Sequence, residues 1–226
     1  MATAESQSSY SSETVNAWRL TTVIPVTNDQ LMDSNFDMEN EISIDVGESF
    51  AQKEGNKHIL GTSVKQPEGI MANATLQAAA ATSSTTGTLT AADLTTMTGA
   101  IKAGQNPMYG FNRQTLATIR TLETSNGDLI FHAGSFDGGD GGSRPNRING
   151  EPYAVFQDIA SLAAGSYSVF YGDLRRGYTI VDRTGLAVIR DDVTAANQAI
   201  VKFTFHRYTT GQVILTEAFA LLLTKS

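Results

Sequence analysis

The sequence predicts an α+β protein, and three observations carry that prediction. Met38, Ile42, Val46 and Phe50 stand four residues apart, the spacing of one face of a helix. Val201, Phe203 and Phe205 alternate with Lys202, Thr204 and His206, the period of a strand with one buried face. From Tyr167 onward the chain is mostly β-prone, whereas the helical patterns come before a Gly-rich stretch.

With 226 residues and 41% apolar content, the chain can bury the core of one large domain or two small ones. No run approaches the roughly 18 apolar residues of a membrane span, and the start is Ser/Thr-rich without a basic or apolar leader, so a soluble chain with no membrane partner is expected. Cysteine is absent, which excludes disulfides, thiolate metal sites and cysteine nucleophiles and fits an intracellular origin. Sixteen Lys and Arg against 23 Asp and Glu leave a formal charge of -7, which argues against gripping a polyanion with a broad basic face.

Each element follows in order. Residues 1 to 16 offer little to bury. "WRLTTVIPV", Trp18 to Val26, reads as a strand leading into the body. A helix follows from Asp37 to Leu60, capped by Ser34 or Asn35 and with acids in its first turns. Leu60 is expected to rejoin its inner flank, with Ile44, Ala51 and Gly55 on another, and at about 1.5 Å per residue it spans about 36 Å, a spine for the domain. After the low-complexity stretch, Thr90 and Asp93 resemble a capping box ahead of Leu94, Met97 and Ile101 on one face of a second helix. Asn112 caps a third, with Leu116, Ile119 and Glu123 at helical spacing and Asn126-Gly127 as its stop. "HAGSFDGGDGGSRPNRINGEP" reads as loop. Tyr167 to Tyr171 reads as a strand. "GDLRRGYTIVDRTGLAVIRDD" reads as a hairpin, with runs Tyr178 to Val181 and Leu186 to Ile189 around a turn at Asp182-Arg183-Thr184-Gly185. A further turn is expected at Thr210-Gly211 before the last β-prone run.

No catalytic constellation is visible. His58, His132 and His206 are far apart, and none has an i+2 or i+4 partner ligand, so each reads as a packing or surface residue. Phosphate-binding and nucleophile-elbow motifs are missing. Asp137 and Asp140 in "DGGDGG" occur once, whereas calcium-binding Gly/Asp repeats need stacked copies. Asp191 and Asp192 are adjacent on a strand and point to opposite faces, so they cannot flank one bond. Arg175, Arg176, Arg183, Arg190 and Arg207 alternate with acids and read as surface or interface pairs. Neither an enzyme nor a cofactor is expected.

Five segments, taken in order, resemble the major capsid proteins of tailed bacteriophages, with the Hong Kong 97-like capsid fold. They are "VTNDQLMDSNFDMENEI", "KQPEGIMAN", "FNRQTLATIRTLETSNGDLIF", "INGEPYAVFQDI", and "VFYGDLRRGYTIVDRTGLAVIRDD" running on to "FTFHRYTTGQVILTEAFALL". The resemblance implies a two-part subunit. Residues 21–61 and 171–215 map to a peripheral domain with the spine helix and a long sheet, and 62–170 with 216–226 to an axial domain. Residues 1–20 map to the returning half of an extended loop; relatives usually carry a longer arm there. Some relatives cross-link a lysine of that loop to a neighbour, but residues 1–20 hold no lysine, so a non-covalent shell is expected.

The function implied is a structural protein that self-assembles, as hexamers and pentamers, into an icosahedral head enclosing double-stranded DNA. Scaffold, portal and decoration proteins are its further partners, and its place is the virion capsid, assembled in the host cytoplasm. Charged residues of the hairpin and spine helix are then the expected contacts between subunits: Arg175, Arg176, Arg183, Arg190, Asp191, Glu41 and Glu48. The alternative is a virion decoration or carbohydrate-binding module using the Gly-rich loop.

Overall fold

A computed structural model describes residues 14–33, 37–102, 106–123 and 147–226. Strand β1 (Trp18–Thr27) runs into a short helix α1 (Asn28–Asp33), and the spine helix α2 follows (Met38–Leu60). Its cap is Asp37, whose carboxylate accepts from the Asn40 amide at 3.2 Å, and not Ser34 or Asn35, which lie outside the described residues. Over 23 residues it is about 34 Å long.

Ile42, Val46 and Phe50 are buried as their spacing predicts, but Ile59 and not Leu60 ends the inner stripe. Leu60 stands five whole turns from Ile42 and so on the same side of an ideal helix, but the end of the spine has different neighbours, and there it is Ile59 that meets Ile70, Phe170 and Phe219. Ile44 stays about half exposed on the other flank.

Beyond the spine come α3 (Ala74–Ala78), β2 (Ala81–Thr86) and α4 (Ala91–Ala100). The capping box exists: Asp93 accepts from the Thr90 amide at 2.7 Å. Leu94 and Met97 are fully buried on the face that their spacing marks. After β3 (Met108–Phe111), α5 (Arg113–Arg120) is capped by Asn112, which accepts from the Gln114 amide at 3.0 Å. This helix stops at Arg120, so Glu123 lies beyond it; the expected stop at Asn126-Gly127 falls outside the described residues.

The Gly-rich stretch with His132, Asp137 and Asp140 also lies outside them, but its end is not loop. Strands β4 (Arg147–Ile148) and β5 (Glu151–Val155) form a hairpin. Its tip is Asn149-Gly150 with φ of 52° and 84°, the left-handed pair that a two-residue hairpin turn requires.

Strand β6 (Tyr167–Gly172), a single-turn helix α6 (Leu174–Gly177), β7 (Tyr178–Asp191), β8 (Ile200–Val213) and β9 (Phe219–Lys225) complete the chain. The expected hairpin within 172–192 does not form. Tyr178 to Asp191 is one strand of 14 residues, antiparallel to the equally long β8. The turn-prone residues are absorbed as register shifts between Asp182 and Thr184 and between Thr184 and Ala187, each adding one residue against the partner. Nor is there a turn at Thr210-Gly211. A Cβ on Gly211 would lie 2.2 Å from the Tyr178 hydroxyl oxygen and 2.6 Å from His58 Nδ1, so this glycine serves close approach inside β8.

Two sheets result. One is three-stranded, ordered β1-β8-β7; the other is six-stranded, ordered β2-β9-β6-β3-β5-β4. The spine helix lays Ile42, Val46 and Phe50 on Val26, Val201, Phe203 and Phe205 of the first. Each such side chain contributes about 1.5–3 kcal/mol by leaving water. The second sheet packs Tyr109, Phe111, Val169 and Leu222 against Leu94, Met97 and Ile119 of α4 and α5. A third cluster, with Ile59, Ile70, Phe170, Val213 and Phe219, fills the junction where the end of the spine meets both sheets. There Cβ atoms on Gly172 and Gly177 would approach Phe219 ring atoms to 2.4 Å and 2.2 Å, so the crossing from β6 to β7 stays tight.

Candidate assembly surface

Strand order decides what the surface looks like. The spine helix covers β1 and β8, and β7 lies beyond it as an edge, so nearly every residue of β7 is exposed whichever face it points to. Residues paired across an antiparallel ladder share a face, so Val188 and Arg190, opposite Phe205 and Phe203, look to the helix side. Ile189, opposite Thr204, looks away from it. Ile180, Val181, Leu186, Val188 and Ile189 are all 42–55% exposed. A long, apolar edge with one ladder of unpaired backbone groups is a template for pairing, and stable proteins cover such edges.

The charged residues expected at contacts are distributed unevenly. Arg175 and Arg176 project from α6, whose cap Asp173 accepts from their amides at 3.0 and 3.3 Å; both side chains are exposed and form no ion pair among the described residues. Arg183 sits in the first bulge with its guanidinium 5.7 Å from the Tyr208 ring centre. Arg190 is held within the subunit: Nη1 bonds Glu39 at 2.5 Å and Nε bonds Asp192 at 2.9 Å. Asp191 accepts from the amides of Val193 and Thr194 at 3.0 Å each and from the Thr194 hydroxyl, so it ties the turn after β7. The Thr194 hydroxyl, with the two amides, holds its carboxyl below the usual carboxylate range. Glu41 and Glu48 are exposed on the spine with no ion pair among the described residues.

Arg207 does not belong to the surface set. Its Nη1 lies 3.2 Å from Glu54 Oε2 of the spine and its Nη2 2.6 Å from Asp182 Oδ2 of β7, so it joins helix and sheet internally. Burial pushes the Glu54 carboxyl up, Arg207 opposes that, and the Asp182 charge adds to it. The signal was in the period: Arg207 continues the 201, 203, 205 series that faces the helix, and a charge on a core-facing position needs a partner.

Beside this triad, His58 Nδ1 lies 3.0 Å from the Tyr178 hydroxyl, which donates to the Glu68 carbonyl at 2.7 Å. A cleft of about 450 Å³ opens next to it, lined mainly by Ile59, Ile70, Phe156, Phe170 and Ile180. The Tyr178 hydroxyl on its wall gives its hydrogen to the Glu68 carbonyl and not to His58, and among the described residues no three His, Asp or Glu side chains converge to hold a metal. What the surface offers is contact area and charge.

A helix-backed sheet with an uncovered apolar edge, joined to a second sheet, is an architecture that offers surface for pairing with further chains. The model of the phage capsid family matches residues 1–223, and the chain belongs to that family. It is a capsid structural protein. Among curated proteins none matches the chain by sequence.

Solved structures agree on the fold. The capsid of an empty GTA particle superposes with a TM-score of 0.80 at 24% identity, covering 100% of this chain and 81% of that one. Gordonia phage Cozz gives 0.66 at 12% identity, with 99% and 79% covered. The holo-SrpI encapsulin complex from Synechococcus elongatus PCC 7942 gives 0.69 at 17% identity, with 92% and 73% covered.

Proposed function

We propose that copies of this chain close as hexamers and pentamers into an icosahedral head around double-stranded DNA, in the virion capsid and after assembly in the host cytoplasm. The spine helix with β1, β7 and β8 forms the peripheral domain, and the six-stranded sheet with α4 and α5 forms the axial domain that meets around the symmetry centres. Scaffold, portal and decoration proteins are the further partners, and the work is structural and not catalytic.

The observation that supports this reading most is β7: 14 residues of strand, exposed on both faces, with five large apolar side chains in the open. Arg175 and Arg176 are exposed with no ion pair among the described residues, Arg183 lies over the Tyr208 ring, and Glu41 and Glu48 on the spine supply opposite charge. Contacts of this kind set register and partner choice more than affinity.

Electron microscopy of the purified protein tests the reading: regular shells or rings are expected. Val188→Lys with Ile189→Lys should leave the unfolding transition of the subunit within about 0.5 kcal/mol, because both residues are exposed, and should abolish particles. Normal shells from that variant would remove β7 from the interface.

A further inference from the structure

Near the end of the spine, four cations converge on one groove. Arg19 of β1, Lys53 and Lys57 of α2 and Lys65 of the following loop line a cavity of about 320 Å³ together with Trp18 and Leu20. Three of the chain's six lysines and its single tryptophan therefore meet in one place, in a chain whose net charge is -7. All four cationic side chains are exposed, and none forms an ion pair among the described residues. The one acid in the groove, Glu54, is already paired with Arg207.

The loop that carries Lys65 is built to hold its shape. Ser63 and Lys65 both adopt left-handed φ, 66° and 54°, which costs a non-glycine residue energy, and the Gln66 amide donates to the Thr62 hydroxyl at 2.6 Å across the turn. Complementing the helix dipole accounts for lysines late in α2. It accounts for neither Arg19, nor Lys65, nor Trp18, which come from other elements.

The complement of this groove lies on the same chain, about three turns back. Glu41, Ile44, Asp45 and Glu48 stand at i, i+3, i+4 and i+7, so they form one stripe of α2. All four are exposed, Ile44 by 49%, and the three acids form no ion pair among the described residues. An apolar side chain ringed by acids matches an apolar floor rimmed by cations. Groove and stripe sit on one rigid helix and cannot meet within one subunit.

We propose that the acidic stripe of one copy docks in the basic groove of the next, a head-to-tail contact that propagates around a ring of subunits. This rests on the shell-building reading above and names the surface that Glu41 and Glu48 meet. A heterologous contact of this kind closes into rings when its rotation is right. Stripe on stripe and groove on groove repel, and at about 100° per residue the stripe and the Lys53–Lys57 side lie about 140° apart around α2, so a single two-fold partner does not cover both.

The absence of cysteine makes a direct test clean. Glu48→Cys and Lys57→Cys subunits, prepared separately and mixed under oxidising conditions, should give a disulfide-linked pair on non-reducing gels at roughly ten-fold the yield of either alone, since only the mixture brings the two thiols together. In parallel, Lys53→Glu with Lys57→Glu should lower particle yield roughly ten-fold or more, and adding Glu41→Lys with Glu48→Lys in the same chain should restore it, because swapped charges on both faces again attract.

No cross-link in the mixture, or no rescue by the double swap, would overturn the proposal. So would normal particles from the lysine variant that have merely lost packaged nucleic acid, which would assign the groove to a polyanion. If the unaltered protein forms no shells or rings, the shell-building reading fails instead, and the cross-link between concentrated subunits still decides whether stripe and groove meet.

Discussion

His58 and Tyr178 share a proton whose position the geometry fixes. The Tyr178 hydroxyl gives its only hydrogen to the Glu68 carbonyl at 2.7 Å, so the 3.0 Å contact requires His58 Nδ1 to donate to the hydroxyl oxygen. The neutral ring therefore carries its proton on Nδ1 and leaves Nε2 bare. This bond ties the last turns of the spine to the first residue of β7, across the junction of the two sheets.

A pH dependence follows from that placement. Burial lowers the His58 pKa from its ordinary 6.5, the nearby Arg207 charge adds to the lowering, and Asp182 opposes it. A lowered value means that the folded state prefers the neutral ring, so this contribution to stability is present above pH 6.5 and is lost as pH falls through the lower folded value. Glu54 acts in the opposite sense, since its raised value makes its contribution fade as pH rises through it. Urea midpoints measured between pH 7 and 5 should fall for the unaltered protein and fall less for His58→Asn, whose side-chain amide keeps the donor but cannot titrate. Parallel curves for the two would show that the ring does not titrate in this window.

The spine's inner stripe gives a second test. Ile42 is 9% exposed and packs among Val26, Val201 and Phe203, so Ile42→Asp places a carboxylate with no partner in an apolar core. The expected loss is several kcal/mol, or protonation of the new group at neutral pH. Ile44→Asp, on the exposed flank of the same helix, should cost less than about 0.5 kcal/mol. Equal thermal unfolding of the two variants would contradict the packing.

Asp93 is a heavily used carboxylate of the six-stranded half. It accepts from the amides of Thr90 and Ser84 at 2.7 and 3.0 Å and from their hydroxyls at 2.9 and 3.1 Å, joining the start of α4 to β2. Removing it strands two part-buried amides. Asp93→Ala should destabilise by about 2–4 kcal/mol, and Asp93→Asn, which retains an acceptor oxygen, by less. A chemical-denaturation midpoint unchanged in the alanine variant would mean that β2 and α4 are held by other means.

Helices were legible wherever a cap and a stripe agreed. Thr90 with Asp93, and Asn112 ahead of Leu116 and Ile119, place two helix starts correctly, because caps and periodicity are both local. The long sheet was less legible. Gly185 and Gly211 look like turn residues, yet Gly211 is there for the approach of Tyr178 and His58, and Gly185 lies in a stretch that bulges without turning. Those reasons belong to neighbours that are distant in sequence. The same holds for the surface: Arg190 reads in the sequence as a contact between subunits, but Glu39 of the same subunit meets it once β7 and the spine are side by side.

A phage head must retain a polyanion, yet this chain carries 16 cationic against 23 acidic side chains, and its described cations are largely committed or scattered. Arg190 and Arg207 are held by acids of the same subunit, and Lys102 by Glu217 at 3.3 Å. Affinity for duplex DNA scales with the number of phosphates neutralised, each contact releasing counterions, and reading bases needs side chains set in a groove. The cluster of Arg19, Lys53, Lys57 and Lys65 lines a groove of about 320 Å³ and does not spread over a face. DNA should therefore be kept in by enclosure. In a gel-shift titration at about 150 mM salt, short duplexes of differing sequence should bind the isolated subunit weakly and alike, with dissociation constants no tighter than the ~10⁻⁴–10⁻⁶ M of non-specific contact. Tight binding of one duplex over the others would overturn retention by enclosure.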